Sequence, residues 1–115
     1  MKHSENEDQL TRLTKTVVEF RNERDWAQFH NAKDLSLALS IEASELSECY
    51  LWKTPADANK EKVAEELADV LIYSLLLANE TGLNIEEIIT TKLKKNAEKY
   101  PVDKAKGNAR KYTEL

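Results

Sequence analysis

The chain has 115 residues, of which 41% are hydrophobic and 33% charged, and its formal net charge is −4. This length and composition exclude a disordered chain and predict one soluble, helix-rich domain over residues 1–115. The acidic balance excludes a broad nucleic-acid-binding surface, so no nucleic acid is expected among the partners. The apolar stretch 70–78 is too short to cross a bilayer, so no membrane association is expected.

The N-terminal ten residues are polar and lack the apolar segment of a signal peptide. Cys49 is the only cysteine, so no disulfide can form within the chain. A cytoplasmic location is therefore expected. Cys49 falls on the apolar stripe of a predicted helix, and we interpret it as a buried small hydrophobe rather than a catalytic thiol.

Four helices are predicted, because only two glycines and two prolines punctuate the chain. The first covers residues 4–24, beginning at about Ser4, and the aromatic segment 25–33 is a loop or short turn. Asp34 is the predicted N-cap of a second helix over residues 35–53. The apolar face of the first helix consists of Leu10, Leu13, Val17 and Phe20.

Clear start and stop signals mark the second half of the chain. Thr54 ends the second helix and is the predicted cap of a third, with Pro55 at its first position. The third helix runs to about residue 80, and Gly82 follows as its C-cap. Asn84, with Glu87 three residues later, predicts a capping box for a fourth helix that ends near residue 100.

These elements predict an all-α fold, four-helix-bundle-like, with antiparallel helices and short connections. The polar segment 102–115 is expected to be a mobile or partner-docked tail. Several helices carry apolar residues on more than one side, and so small a domain buries a limited fraction of its surface. We therefore expect a homo-oligomer.

Two acidic pairs interrupt otherwise apolar helix faces. Glu42 and Glu45 lie on the second helix, and Glu66 and Asp69 lie on the third. Each pair is spaced i, i+3, so both carboxylates share a face. A carboxylate directed toward a core is unfavourable unless a cation or hydrogen bonds compensate it. Four such oxygen ligands indicate a site for Mg²⁺, with Mn²⁺ as a substitute.

The alternative is a solvated acidic face, which accounts for Glu48, Glu61 and Glu65. It accounts poorly for Glu42, which would bury its charge without a partner. A di-iron site would need Glu-x-x-His pairs, and His3 and His30 both lie outside the helical pairs.

The fourth helix carries Lys92 and Asn96 within its apolar stripe rather than opposite it. A snorkelling lysine and a capping asparagine would explain this placement. Beside an acidic cluster, however, the lysine would bind phosphate and the amide could read a base edge. Trp26, His30 and Trp52 are either packing residues or walls for a flat ring.

The motifs Glu42-Ala-Ser-Glu45 and Glu66-Leu-Ala-Asp69 resemble the Exx(E)…ExxD signature of the MazG-like, all-α nucleoside triphosphate pyrophosphohydrolase superfamily. Within it, the chain is similar to the dCTP pyrophosphatase branch. That similarity rests on FRNERDWAQFH (20–30), LALSIEASELSE (37–48), EELADVLIY (65–73) and KYTEL (111–115).

The resemblance implies a Mg²⁺-dependent hydrolase that converts a dNTP, with dCTP or a modified dCTP favoured, to monophosphate and pyrophosphate. It implies four metal ligands, Glu42, Glu45, Glu66 and Asp69. It implies a pocket for base and sugar formed by Trp26, His30, Trp52, Tyr73 and Asn96. It implies phosphate contacts from Lys92, Lys99, Arg110, Lys111 and Tyr112. Lys92 would stabilise charge on the phosphates, and Glu45 is either a ligand or the general base.

The resemblance also implies a tight homodimer, often paired into a tetramer, with sites shared between subunits. Ala43 and Ser44 stand where similar chains often carry glycine, which leaves the preferred base open. Alternatives within the superfamily are a broad-specificity enzyme that removes non-standard nucleotides, a dimeric dUTPase and a phosphoribosyl-ATP pyrophosphohydrolase. The alternative of another class is a non-catalytic helical interaction module.

Overall fold

A computed structural model describes residues 6–115, and the described part of the chain contains helices and turns but no strand. The prediction of an all-α fold is confirmed. The chain divides into two compact units, Met1–Leu83 and Asn84–Leu115. The predicted helix start at Ser4, and His3, lie outside the described residues. None of the described helices is both long and apolar enough to span a membrane.

The first unit contains three helices: α1, Gln9–Glu23; α2, Ala32–Glu48; and α3, Lys60–Thr81. α2 and α3 form the main antiparallel pair, and α1 packs on α3. Leu35 of α2 and Leu76 of α3 are only 1% and 3% exposed and form the centre of the core. Cys49 is buried and unpaired, as expected.

Two boundaries of α2 were predicted wrongly. Its N-cap is Asn31 rather than Asp34, because Asn31 Oδ1 accepts from the Asp34 N–H and Asn31 Nδ2 donates to the Asp34 carboxylate, both at 2.8 Å. Its end is Glu48 rather than residue 53. The chain continues through turns in which Trp52 adopts a positive φ of 61°, a conformation that an α-helix does not allow.

The start of α3 also differs from the prediction. Thr54 and Pro55 begin a separate 3₁₀ turn, Pro55–Asp57, and Asn59 caps α3 through its side chain. The C-terminal prediction for α3 is confirmed, because Gly82 is the C-cap residue in the left-handed region, with φ 69°.

The second unit contains α4, Ile85–Lys99, followed by a short helix α5, Val102–Ala105, and a 3₁₀ turn, Tyr112–Glu114. The Asn84 side chain accepts from the Glu87 N–H, so the predicted cap is confirmed. Because segment 102–115 contains α5 and a 3₁₀ turn, it is more structured than predicted. The Tyr112 ring packs edge-on against the Tyr100 ring, with the ring centres 6.1 Å apart.

Large apolar side chains remain exposed on every long helix. The predicted apolar face of α1 is only partly covered: Leu10, Leu13 and Phe20 are exposed, and Arg21 is the buried residue of this helix. On α3, Leu67 and Leu71 are 44% and 56% exposed, because the face toward α2 is the one that carries the acidic residues. The chain alone therefore leaves a second apolar face of α3 uncovered.

Candidate active site

An acidic cluster lies between α2 and α3. One carboxylate oxygen from each of Glu42, Glu45 and Glu66 lies within 4.8 Å of the other two. The antiparallel pairing of the helices produces this cluster, because it sets the i, i+3 pair of α2 beside that of α3. The carboxylate of Asp69 is near enough to act electrostatically on both Glu42 and Glu66.

The electrostatics of this cluster favour a cation. Burial, followed by the nearby Glu45 carboxylate and the charges of Asp69 and Glu66, raises the pKa of Glu42 to about 7. Burial and Glu45 likewise raise the pKa of Glu66. Glu42 Oε2 and Glu66 Oε2 are buried and accept no hydrogen bond within the described residues. Hard oxygen donors without partners are the ligands that Mg²⁺ and Mn²⁺ prefer.

An aromatic pocket of about 400 Å³ adjoins the cluster within the first unit. Asp69 and Tyr73 lie on its α3 side, one helical turn apart. The His30 and Tyr73 rings lie 6.4 Å apart, and the Phe20 and Trp26 rings meet edge to face at 5.9 Å. The volume and aromatic lining suit a flat ring of nucleobase size.

Charged side chains near the aromatic pocket shift the pKa values of two residues that line it, His30 and Tyr73. Arg21, at the end of α1, is buried, and its charge together with burial lowers the pKa of His30, with burial the larger cause. Burial and the charges of Glu42, Asp69 and Glu45 raise the pKa of the Tyr73 phenol. His30 is therefore neutral and Tyr73 protonated near pH 7.

A second, polar hollow of about 440 Å³ lies at the other side of the cluster. Glu45 and Glu66 form part of it, together with the exposed lysines Lys53 and Lys62. The Lys62 ammonium acts on Glu66 and partly offsets its raised pKa. One face of α3 thus carries, in chain order, an ammonium group, two carboxylates and a phenol. These belong to Lys62, Glu66, Asp69 and Tyr73.

The remaining predicted site residues lie elsewhere. Trp52 follows α2 and is fully exposed, outside the aromatic pocket. The other six belong to the second unit, where Asn96 is half-buried and the Lys99 ammonium lies 4.8 Å from the Tyr112 ring centre. Their role at the site stays a prediction. The six are Lys92, Asn96, Lys99, Arg110, Lys111 and Tyr112.

Several residues that line the two pockets were not predicted as site residues, and four of them bear on the chemistry of the site. Phe20 was assigned to the core and Arg21 was not considered, although Arg21 follows Val17 by four residues and so shares its face. Lys53 and Lys62 were also overlooked. For Lys62 a signal existed, because it precedes Glu66 by one helical turn.

Comparisons with known proteins identify similar chains. The chain is 39% identical to dCTP pyrophosphatase 1 of Rattus norvegicus over 117 residues, covering 95% of this chain and 69% of the relative. The human protein of the same name is 38% identical over the same coverage.

A solved structure is also similar. A pyrophosphatase from Archaeoglobus fulgidus superposes with a TM-score of 0.78 at 36% identity, covering 87% of this chain and 99% of that one. Residues 37–115 match the MazG-like family. The chain therefore belongs to the MazG-like family, and the prediction of a pyrophosphatase enzyme is confirmed.

Proposed function

We propose that the protein is a Mg²⁺-dependent pyrophosphohydrolase of deoxynucleoside triphosphates, with dCTP or a modified dCTP preferred, that removes nucleotides from the cellular pool. The observation that carries the proposal is the carboxylate cluster within 4.8 Å, beside an aromatic pocket of nucleobase size. Relatives named dCTP pyrophosphatase 1 support the choice of substrate. A cytoplasmic location stays a prediction.

Glu42, Glu45, Glu66 and Asp69 are the proposed ligands of Mg²⁺, or of Mn²⁺ as a substitute. The buried and unpartnered oxygens of Glu42 and Glu66 support this assignment, because carboxylates in that state are stabilised by a cation. When bound, the ion would neutralise charge on the phosphate oxygens and favour ionisation of the attacking water.

The proposed reaction cleaves the bond between the α-phosphorus and the oxygen that bridges it to the β-phosphate. A water oxygen attacks the α-phosphorus in line with that bond, and pyrophosphate leaves with the bridging oxygen. The water proton passes to a carboxylate, for which Glu45 is the candidate because its carboxylate lies within the cluster. The products are a nucleoside monophosphate and pyrophosphate.

The order of groups along α3 supports one direction for the bound nucleotide. Tyr73 and Lys62 are eleven residues apart, which corresponds to about 16 Å along a helix axis. The base would lie in the aromatic pocket at the Tyr73 end. The α-phosphate would lie at the carboxylates, and the outer phosphates would point toward Lys62 and Lys53, whose ammonium groups suit phosphate.

The second unit has proposed roles as well. Asn96 is the candidate reader of the base, and the basic side chains with Tyr112 are candidates for phosphate contact, with Lys92 stabilising the charge that accumulates there. The family match runs through both units, which supports a single functional domain over residues 1–115. The phosphate-contacting set is Lys92, Lys99, Arg110, Lys111 and Tyr112.

The exposed apolar face of α3 supports assembly into a homo-oligomer. Leu67 and Leu71 are large, apolar and uncovered in the single chain. Burial of such side chains stabilises association by roughly 25 cal/mol per Å² of apolar surface. A homodimer, or a tetramer made of two such dimers, would cover them.

The proposal is tested by pyrophosphate release from the purified protein across the canonical dNTPs and NTPs, plus 5-methyl-dCTP, with and without Mg²⁺. We expect turnover that is strongest on deoxycytidine nucleotides and lost in EDTA. Equal Mg²⁺-dependent rates on all bases would instead favour the broad-specificity enzyme. An absence of turnover on every nucleotide would contradict the proposed function.

A further inference from the structure

Arg21 lines the aromatic pocket but has no part in the reaction proposed above. It is only 8% exposed, although an arginine is rarely buried without full pairing. Its Nε donates to Asn22 Oδ1 at 3.2 Å, while Nη1 lies 3.8 Å from Glu80 Oε2, beyond hydrogen-bond range. Nη1 is therefore buried without an acceptor among the described residues.

His30 presents a second unpaired group on the same pocket. Its Nδ1 is also buried without a hydrogen-bond partner among the described residues. Burial and the Arg21 charge lower the pKa of His30, so the ring is neutral and one of its nitrogens is an acceptor. The pocket thus offers a fork of donors from Arg21 and an acceptor from His30, between aromatic and aliphatic walls.

Arg21 Nη1 and His30 Nδ1 are buried nitrogens without hydrogen-bond partners in the described part of the chain, and both residues line one pocket, which indicates that a ligand supplies the missing groups. A buried donor without an acceptor destabilises the free protein, and the same donor strongly favours a ligand that supplies the missing acceptor. A nucleobase is flat enough for the aromatic walls and carries hydrogen-bonding groups only on its edge.

We propose that Arg21 is a specificity-determining residue that reads the edge of the bound base and favours cytosine over thymine. The inference rests on the proposed function, because it assumes that the aromatic pocket holds the base. It adds to that function a second base-reading residue beside Asn96, one that distinguishes the two pyrimidines.

The chemistry of the two bases explains the preference. Cytosine presents O2 and N3 as adjacent acceptors, which match two parallel N–H groups of a guanidinium, as O6 and N7 of guanine do. The cytosine amino group can then donate to His30. Thymine presents an N3–H in place of the N3 acceptor, so one Arg21 donor would face another donor. A bidentate contact of this kind discriminates between bases by roughly 5- to 150-fold.

The test compares Arg21→Lys and Arg21→Met with wild type and with Arg12→Met, a matched substitution on the same helix outside the pocket. Arg21→Lys keeps a charge beside Glu80 but loses the planar fork. The measurements are kcat and KM for dCTP and dTTP in the Mg²⁺-loaded enzyme, together with Kd values of dCMP and dTMP by calorimetry.

We expect both Arg21 variants to lower the dCTP-to-dTTP ratio of kcat/KM by about tenfold or more. The change should appear in KM and in the Kd of dCMP, while Arg12→Met keeps the wild-type ratio. An equal loss for both nucleotides would overturn the inference and make Arg21 a packing residue.

The failure of this inference differs from the failure of the proposed function. Equal kcat/KM values of the wild-type enzyme for dTTP and dCTP would overturn the reading role of Arg21. The proposed pyrophosphohydrolase activity would be unaffected by that result. Wild-type protein without turnover would contradict the proposed function, yet a dCMP preference that Arg21→Met removes would still support Arg21 as the reader.

Discussion

Replacement of Glu42 by glutamine should stabilise the metal-free protein and abolish its turnover. The Glu42 carboxylate has those of Glu45 and Glu66 within 4.8 Å, and Glu42 Oε2 and Glu66 Oε2 accept no hydrogen bond within the described residues. Two charges at that distance repel by about 3.5 kcal/mol at an effective dielectric constant of ~20 and by about 0.9 kcal/mol in bulk water. Glu42 is partly exposed, so we expect a gain of about 1–2 kcal/mol in unfolding free energy at pH 8.

The gain in unfolding free energy from Glu42→Gln should be larger at high pH than at low pH. The pKa of Glu42 in the folded chain is about 7, above the ordinary value of 4.5. Between these two pH values the folded state therefore binds more protons than the unfolded state. The contribution of the Glu42 proton to the free energy of unfolding is lost as pH rises through about 7. At pH 5 Glu42 is already protonated, so Glu42→Gln should differ little from wild type there.

The assay is thermal unfolding in EDTA at pH 5 and pH 8, then with Mg²⁺ at pH 8. A gain of about 1–2 kcal/mol corresponds to a rise in Tm of roughly 5–10 °C for a domain of this size. Mg²⁺ should raise the Tm of wild type by mass action and raise that of Glu42→Gln much less. Glu65→Gln, an exposed glutamate on α3, is the control and should follow wild type.

Two results would refute this reasoning. A Glu42→Gln variant less stable than wild type at pH 8 would mean that Glu42 is compensated within the protein. Near-wild-type turnover by the variant would remove Glu42 from the ligand set.

Three further substitutions test other parts of the site. Asp69→Asn should abolish Mg²⁺-dependent pyrophosphate release while circular dichroism shows the fold retained, and retained activity would remove Asp69 from the ligands. Asn96→Ala should reduce discrimination among the four dNTPs more than it reduces kcat, and an unchanged preference would count against a reading role. Trp52 lies outside the aromatic pocket of its own chain, so its stacking role requires a site shared between subunits. On that role, Trp52→Ala should raise KM roughly 5- to 100-fold without lowering Tm, because its side chain is fully exposed, and an equal KM would exclude stacking on the base.

Capping signals identified the helices well but placed their ends less well. Gly82 and Asn84 act as predicted: Gly82 is the left-handed C-cap of α3, and the Asn84 side chain accepts from the Glu87 N–H at the start of α4. At the start of α2, both Asn31 and Asp34 are good cap residues, and the reciprocal hydrogen bonds between them favour the earlier one. Pattern alone could not decide between two adjacent caps.

The acidic cluster was predictable because helical spacing fixes which side chains share a face. Glu42 and Cys49 lie on the predicted inward side of α2. Helical spacing places Arg21 on the face of Val17, but its burial could not be predicted from spacing alone, because it depends on how α1 packs against α3. A surplus of apolar faces was expected, but the pattern alone could not assign Leu67 and Leu71 to the exposed one, since core-facing and uncovered apolar residues have the same spacing.

α3 joins two surfaces within one rigid element, and this has a thermodynamic consequence. The face toward α2 carries Glu66 and Asp69, and another face exposes Leu67 and Leu71. A partner that covers the leucines stabilises the same helix that holds the carboxylates in place. If the proposed association raises the affinity for the proposed cation, linkage requires that the cation tighten association by the same factor. The apparent metal affinity would then fall on dilution of the protein.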